Sequence, residues 1–214
     1  MFLDRADAGR KLAERLRRYR GRKDLLVLAL PRGGVPVAYE VARDLGAELD
    51  VLVVRKLGVP FHPELAMGAI ASGGAIHISR DVIQAAGISQ AEFEARLARE
   101  RAELQRREAA YRGERPPPRV KNRTVIVVDD GIATGASMHA ALAALRSLQP
   151  AELICAAPVA PADSAARFTD VADAFVCIHA PAEFQAVGQF YRRFDQTSDA
   201  EVQQLLAQAG RSAT

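Results

Sequence analysis

The sequence predicts an α/β protein with a doubly wound, mostly parallel sheet. Three observations carry this. Short apolar runs of strand length recur along the chain, helical patterns separate them, and polar clusters sit where the runs end. Parallel strands are covered by helices on both faces, so they read as continuous apolar runs. Ligands of such sheets bind beyond the carboxyl ends of the strands.

The elements follow in order. Leu12, Leu16 and Tyr19 recur at helical spacing after Asp7, read as the N-cap, which predicts an amphipathic helix over 8–20. LLVLAL (25–30) is a buried strand, PRGG (31–34) a glycine turn, a helix runs to Gly46, and DVLVV (50–54) is a second strand. Residues 57–74 mix Gly and Pro with scattered apolar positions and read as a mobile loop or hairpin, after which AIHIS (75–79) alternates as a strand does. Phe93, Leu97, Leu104 and Tyr111 share one narrow stripe at about 100° per residue, predicting a single long helix over about 90–112 that RPPP (115–118) ends. TVIVV (124–128) is a central parallel strand, followed by DDGIATG and a helix over 136–148. ELICAAPV (152–159) and AFVCI (174–178) complete the alternation. A last helix starts at Ser198, with Glu201 three residues on as in a capping box, and stops before Gly210. No repeat or linker divides the chain, so one domain over 1–214 is expected.

Composition narrows the classes. With 214 residues, 49% hydrophobic and 26% charged, the chain is ordinary for a globular protein, which excludes whole-chain disorder and fibre. The longest apolar run, Leu25 to Leu30, falls far short of the roughly 20 residues of a membrane span. The start MFLDRADAGR lacks a signal peptide's apolar stretch, so the expected location is the cytoplasm. Residues 1–23 hold nine Lys or Arg against Asp4, Asp7 and Glu14, a net +6 within a total of +3. Only two aromatics, Phe2 and Tyr19, and no zinc-finger spacing make that segment a poor nucleic-acid binder, and it reads as a solvated helix face. The long helix, with seven Arg and six Glu between Glu92 and Arg115, is no better suited to a polyanion. Cys155 and Cys177 lie in apolar runs without Cys-x-x-Cys and read as buried free thiols.

The chemistry is concentrated in VVDDGIATGAS, residues 127–137. Gly131, Thr134, Gly135 and Ser137 bring free backbone N–H groups, hydroxyls and a helix N-terminus, which together hold a phosphate. Asp129 and Asp130 would repel that phosphate, so they should face a hydrogen-bond donor or cation a few ångströms away, such as a sugar diol or hydrated Mg²⁺. A phosphorylated ribose satisfies both halves. No Lys follows Gly135 as a Walker A motif requires, and no G-x-G-x-x-G follows a strand, so an ATPase or a Rossmann dehydrogenase fits poorly.

VIVVDDGIATGAS resembles the fingerprint of type I phosphoribosyltransferases: an apolar strand, two acids, and a small-residue loop ending Thr-Gly before a helix. The resemblance runs from Leu25 to about Val187. It is nearest to bacterial predicted phosphoribosyltransferases of unassigned substrate, which carry a similar PELAMGAIASGG stretch. It implies a core over about 25–187, the long helix at 90–112 as an insertion, and a variable hood built from the N-terminal segment, residues 179–198, or both. It implies further that Asp129 and Asp130 bind the ribose hydroxyls of phosphoribosyl pyrophosphate and, through them or through water, Mg²⁺. Gly131, Ile132, Ala133, Thr134, Gly135, Ala136 and Ser137 would wrap the 5-phosphate.

Two segments fall where the family holds pyrophosphate. In one, Gly33 and Gly34 let backbone approach an anion and Arg32 adds a charged fork; the other is the cation pair Arg55–Lys56 at a strand end. Residues 57–74 match the family's flexible loop, which closes over the reacting centre and excludes water. His62 and Glu64 are its only ionisable side chains, and either could move the proton. Ala133 stands where many 6-oxopurine enzymes carry an acid, which weakens a hypoxanthine or guanine reading. Phe184, Phe190, Tyr191 and Phe194 are candidates for stacking on a flat base.

The implied activity is Mg²⁺-dependent pentosyl transfer from phosphoribosyl pyrophosphate to a small-molecule nitrogenous acceptor, a nucleobase in the leading reading. A regulator sensing phosphoribosyl pyrophosphate or a nucleotide in the same pocket is the alternative, and hydrolysis with water as acceptor a third. A homo-oligomer is expected, with Phe93, Leu97, Leu104 and Tyr111 as its interface.

Overall fold

The computed structural model describes residues 1–60 and 62–212, with the side chains of all of these except 63, 64, 211 and 212. Its main sheet has five strands, all parallel: β1 (Leu25–Ala29), β2 (Glu48–Val51), β6 (Thr124–Val128), β7 (Glu152–Val159) and β8 (Ala174–His179), in the order β2-β1-β6-β7-β8. Every residue of β1 and β6 is buried, as their unbroken apolar runs require.

Alternate residues feed two cores. Leu26, Leu28, Val125 and Val127 face α5 (Ala136–Arg146), where Met138, Leu142 and Leu145 meet them. Val27, Ile126 and Ile154 face the other layer, made of α1 (Arg5–Arg15), α2 (Gly34–Leu45) and α6 (Asp199–Ser212), through Leu12, Val37, Val41, Val202 and Leu206. The α/β fold with helices on both faces is therefore the one the sequence predicts.

A separate three-stranded antiparallel sheet, β3 (Val54–Val59), β4 (His62–Ala71) and β5 (Ala75–Ile78), packs against α5 and against α4 (Gln90–Arg112). Of the loop and the hairpin considered for residues 57–74, the structure has the hairpin, β3 paired with β4, in which Leu57, Val59, Met67 and Ile70 find a core with Phe93 and Leu104 of α4. That same core takes up the α4 stripe, burying Phe93 and Leu104 against this chain's own sheet, where they are not free to face a second subunit, with Leu97 and Tyr111 partly buried at its margin. The second strand ends at Val51, which places Arg55 and Lys56 inside β3 and not at a parallel-strand end.

Smaller differences have local causes. Asp4, and not Asp7, caps α1, accepting the Asp7 N–H at 3.0 Å. A short helix α3 (Arg80–Ala85), unforeseen in the sequence, bridges β5 and α4. Ser198 caps α6 as expected, accepting the Glu201 N–H at 3.1 Å, yet the helix runs through Gly210 to Ser212. Both cysteines are free, Cys155 buried and Cys177 only half-buried.

Candidate active site

The strand order decides where a ligand can sit. From β1 the chain steps to β2 on one side, and from β6 to β7 and β8 on the other, so the loops after β1 and β6 diverge and leave a crevice between them. PRGG leaves β1 there, with the Pro31–Arg32 peptide bond cis, and Asp129–Asp130 leaves β6. The two loops are in close contact. A Cβ on Gly33 would lie 2.0 Å from Asp130 Oδ2, and one on Gly34 would lie 2.7 Å from the Val128 carbonyl oxygen. These glycines therefore fit the loop against the acid pair, a packing demand where the sequence suggests only close approach to an anion.

The two acids differ in their company. Asp129 Oδ1 accepts the N–H of Asp130 at 2.8 Å, and Asp129 has no cationic partner among the described residues. Burial and the neighbouring Asp130 charge push its carboxyl well above the usual range. Asp130 is raised by burial too, against the pull of Arg5, whose Nε lies 2.8 Å from Asp130 Oδ2. Arg5 is only 12% exposed, so it is not one of the solvated cations expected of the N-terminal segment. Its guanidinium also donates through Nη1 to the Asp195 carbonyl at 2.6 Å and lies 4.0 Å from the Phe194 ring centre. Tyr191 completes the enclosure, its hydroxyl donating to the Asp130 carbonyl at 2.6 Å. Both candidate hood segments take part, since Phe2 bridges Tyr191 as a short parallel pair. Of the four aromatics considered for stacking, Tyr191 and Phe194 are thus committed to the acid pair, while Phe184 and Phe190 stack on each other.

Beyond Asp130 the loop turns into α5. Gly131 lies against Val187, and Ile132 is buried with its N–H on the Val159 carbonyl, so Ile132 packs and does not present itself. Gly135 caps the helix at φ +77°, a conformation side chains resist. Among the described residues the N–H groups of Ala133, Thr134, Gly135 and Ser137 have no partner, and Ala136 N–H makes only a long contact with Thr134 Oγ1. Several unpaired donors at a helix N-terminus suit a phosphate.

A cleft of about 630 Å³ gathers Arg32, Arg55, Lys56, Asp129 and Ser137 from the expected set. Arg55 is already engaged, 2.6 Å from Glu100 of α4, whereas Lys56 has no ionic partner among the described residues. Arg106, Arg107 and Tyr111 of α4 also line it, with Asp199 at the start of α6. The sequence gives Tyr111 only a place in an apolar stripe and singles out none of the other three. Tyr111 donates to Asp199 at 3.1 Å, Arg32 stands 3.8 Å from the same carboxylate, and burial together with Asp199 raises the Tyr111 hydroxyl. Of the two proton-transfer candidates, His62 is exposed and does not line the cleft, and the Glu64 side chain lies outside the described residues.

A family model described as a phosphoribosyl transferase domain matches residues 2–191. The chain belongs to the phosphoribosyltransferase family. The match begins before Arg5 and ends on Tyr191, so both strands of the hood contact lie inside the phosphoribosyltransferase domain. A provisionally named phosphoribosyl transferase of Mycobacterium tuberculosis, found in strains CDC 1551 and H37Rv, is 49% identical over 211 residues, 99% of this chain and 47% of the relative. The chain thus spans about half the length of the curated relatives it matches. The crystal structure of TT1426 from Thermus thermophilus shares 42% identity and a TM-score of 0.88, covering 97% of this chain and 98% of that one. No helix among the described residues is long and apolar enough to cross a membrane.

Proposed function

We propose that this phosphoribosyltransferase moves the 5-phosphoribosyl group from phosphoribosyl pyrophosphate to a nitrogenous acceptor of the nucleobase class, releasing pyrophosphate. The observation that carries the reading is the juxtaposition, at the sheet's switch point, of two carboxylates, a helix N-terminus with unpaired N–H groups, and a cationic cleft. A phosphoribosyl donor has this order of parts: a diol for the acids, a phosphate for the helix, and a pyrophosphate for the cations.

In this reading Asp129 and Asp130 accept hydrogen bonds from the ribose hydroxyls, and the 133–137 turn holds the 5-phosphate. Arg32 and Lys56 stabilise the departing pyrophosphate as positive charge builds on the ribose, so catalysis is positional and electrostatic. No three His, Cys, Asp or Glu among the described residues form a metal cage. That fits Mg²⁺, which keeps its waters and binds through one or two carboxylates plus substrate phosphates. Asp129, without a cationic partner, and Asp130 would hold the ion, which when bound neutralises phosphate charge.

Phosphorus NMR of the protein with Mg²⁺, phosphoribosyl pyrophosphate and a pool of purine and pyrimidine bases tests the proposal. Base-dependent growth of free pyrophosphate is the expected result. Donor resonances unperturbed at near-stoichiometric protein would overturn it.

A further inference from the structure

The residue that the fold brings to Asp130 from 125 positions away is Arg5, and its surroundings give it a task. Each part of Arg5 has a separate restraint. Nε bonds the Asp130 carboxylate at 2.8 Å, Nη1 is fixed on the Asp195 carbonyl at 2.6 Å, and the Phe194 ring covers the guanidinium at 4.0 Å. Asp130 is restrained from three sides as well. Arg5 holds Oδ2, Tyr191 holds the main-chain carbonyl, and Gly33 sits so near Oδ2 that no side chain could stand in its place.

We propose that Arg5 is a positioning residue for the ribose half of the site, clamping Asp130 so that one carboxylate oxygen is committed and the other is left to accept a sugar hydroxyl. The inference rests on the phosphoribosyl reading above and adds to it a residue outside the acid motif, on an element that carries no other part of the motif. A lone carboxylate beside Asp129 could turn away from its neighbour's charge. The planar guanidinium, bonded at two of its nitrogens, prevents this in a way a flexible ammonium cannot. The clamp acts at the diol and not at the pyrophosphate, because Arg5 does not line the cleft that holds Arg32 and Lys56.

Two probes separate the ends of the site: ribose 5-phosphate, which has the diol without pyrophosphate, and inorganic pyrophosphate. Calorimetric titration of each into wild type, Arg5→Met and Arg5→Lys, in the presence of Mg²⁺, is the test. Arg5→Met should weaken ribose 5-phosphate at least ten-fold and leave pyrophosphate unchanged, with Arg5→Lys recovering part of the loss. Equal or tighter ribose 5-phosphate binding by Arg5→Met overturns the inference, the tighter case making Arg5 a blocking group. Loss of both probes together also overturns it, as a general structural effect. If Arg5→Met does not fold, Arg5→Lys alone decides, through a several-fold loss confined to ribose 5-phosphate or parity with wild type. A wild-type protein that binds neither probe overturns the phosphoribosyl reading itself.

Discussion

Asp129 and Asp130 stand side by side at the end of β6, one with a counter-ion and one without. A carboxylate whose folded pKa is raised destabilises the fold at high pH. The penalty is absent below the ordinary carboxylate range, grows as pH rises through the raised value, and is complete above it. Asp129→Asn keeps an oxygen to accept the Asp130 N–H and removes the charge. It should therefore raise the melting temperature at neutral pH by a few degrees, with the gain vanishing near pH 3, as thermal melts across pH would show. The same variant combined with Asp130→Asn should lower turnover by orders of magnitude with the circular dichroism spectrum intact. A substitution that stabilises while it inactivates marks a charge kept for chemistry. At this scale the acid pair and the Thr-Gly turn are legible because they are contiguous and each demands its own ligand. Arg5 is not legible: in sequence it is one cation among nine, and only the fold distinguishes it.

Among the elements, the packing of hairpin β3–β4 against helix α4 departs furthest from the sequence reading, although α4 itself has the expected bounds, Gln90–Arg112. Gly and Pro in residues 57–74 suggest a loop as readily as a hairpin, and the scattered apolar positions between them become a buried face once α4 supplies a partner. The length of α4 is legible from its stripe, and a Ser89–Glu92 capping box fixes its start; its partner is not legible, since an apolar stripe fits a sheet as well as a second subunit. Glu100 is 8% exposed and pairs with Arg55, so Glu100→Gln should reduce stability by about 2 kcal/mol in denaturant unfolding, because Arg55 loses its partner in a half-buried site. Arg106 and Arg107 share the single carboxylate of Glu103, leaving positive charge at the cleft wall. Changing both to Gln should weaken pyrophosphate binding roughly five-fold, as expected for two exposed cations at about 0.5 kcal/mol each, without altering the fold.

The whole molecule is closed by its beginning. Phe2 is fully buried, its N–H on the Phe190 carbonyl and its own carbonyl accepting from Arg192, so the N-terminal segment and residues 190–193 lock together beside the acid pair. Phe2→Ala should lower unfolding free energy by about 3 kcal/mol and weaken donor binding along with it, since Arg5 and Tyr191 hang on the same contact. Alternating strands and helices make the main sheet legible, and the switch point with it. The two hood segments are legible in sequence, but nothing in a linear pattern shows that they pair with each other, as Phe2 and Tyr191 do. Charge along the site is graded in exposure: the Arg5–Asp130 pair is enclosed at 12% and 14%, while Arg32, Arg107 and Arg106 stand 37%, 47% and 69% open. Dissolved salt screens open charges over a Debye length of about 8 Å at physiological strength and barely reaches enclosed ones. For the reaction proposed above, product inhibition by pyrophosphate should therefore fade as salt is added while the acid pair keeps its arrangement, and a saltier medium would favour departure of the leaving group over its recapture.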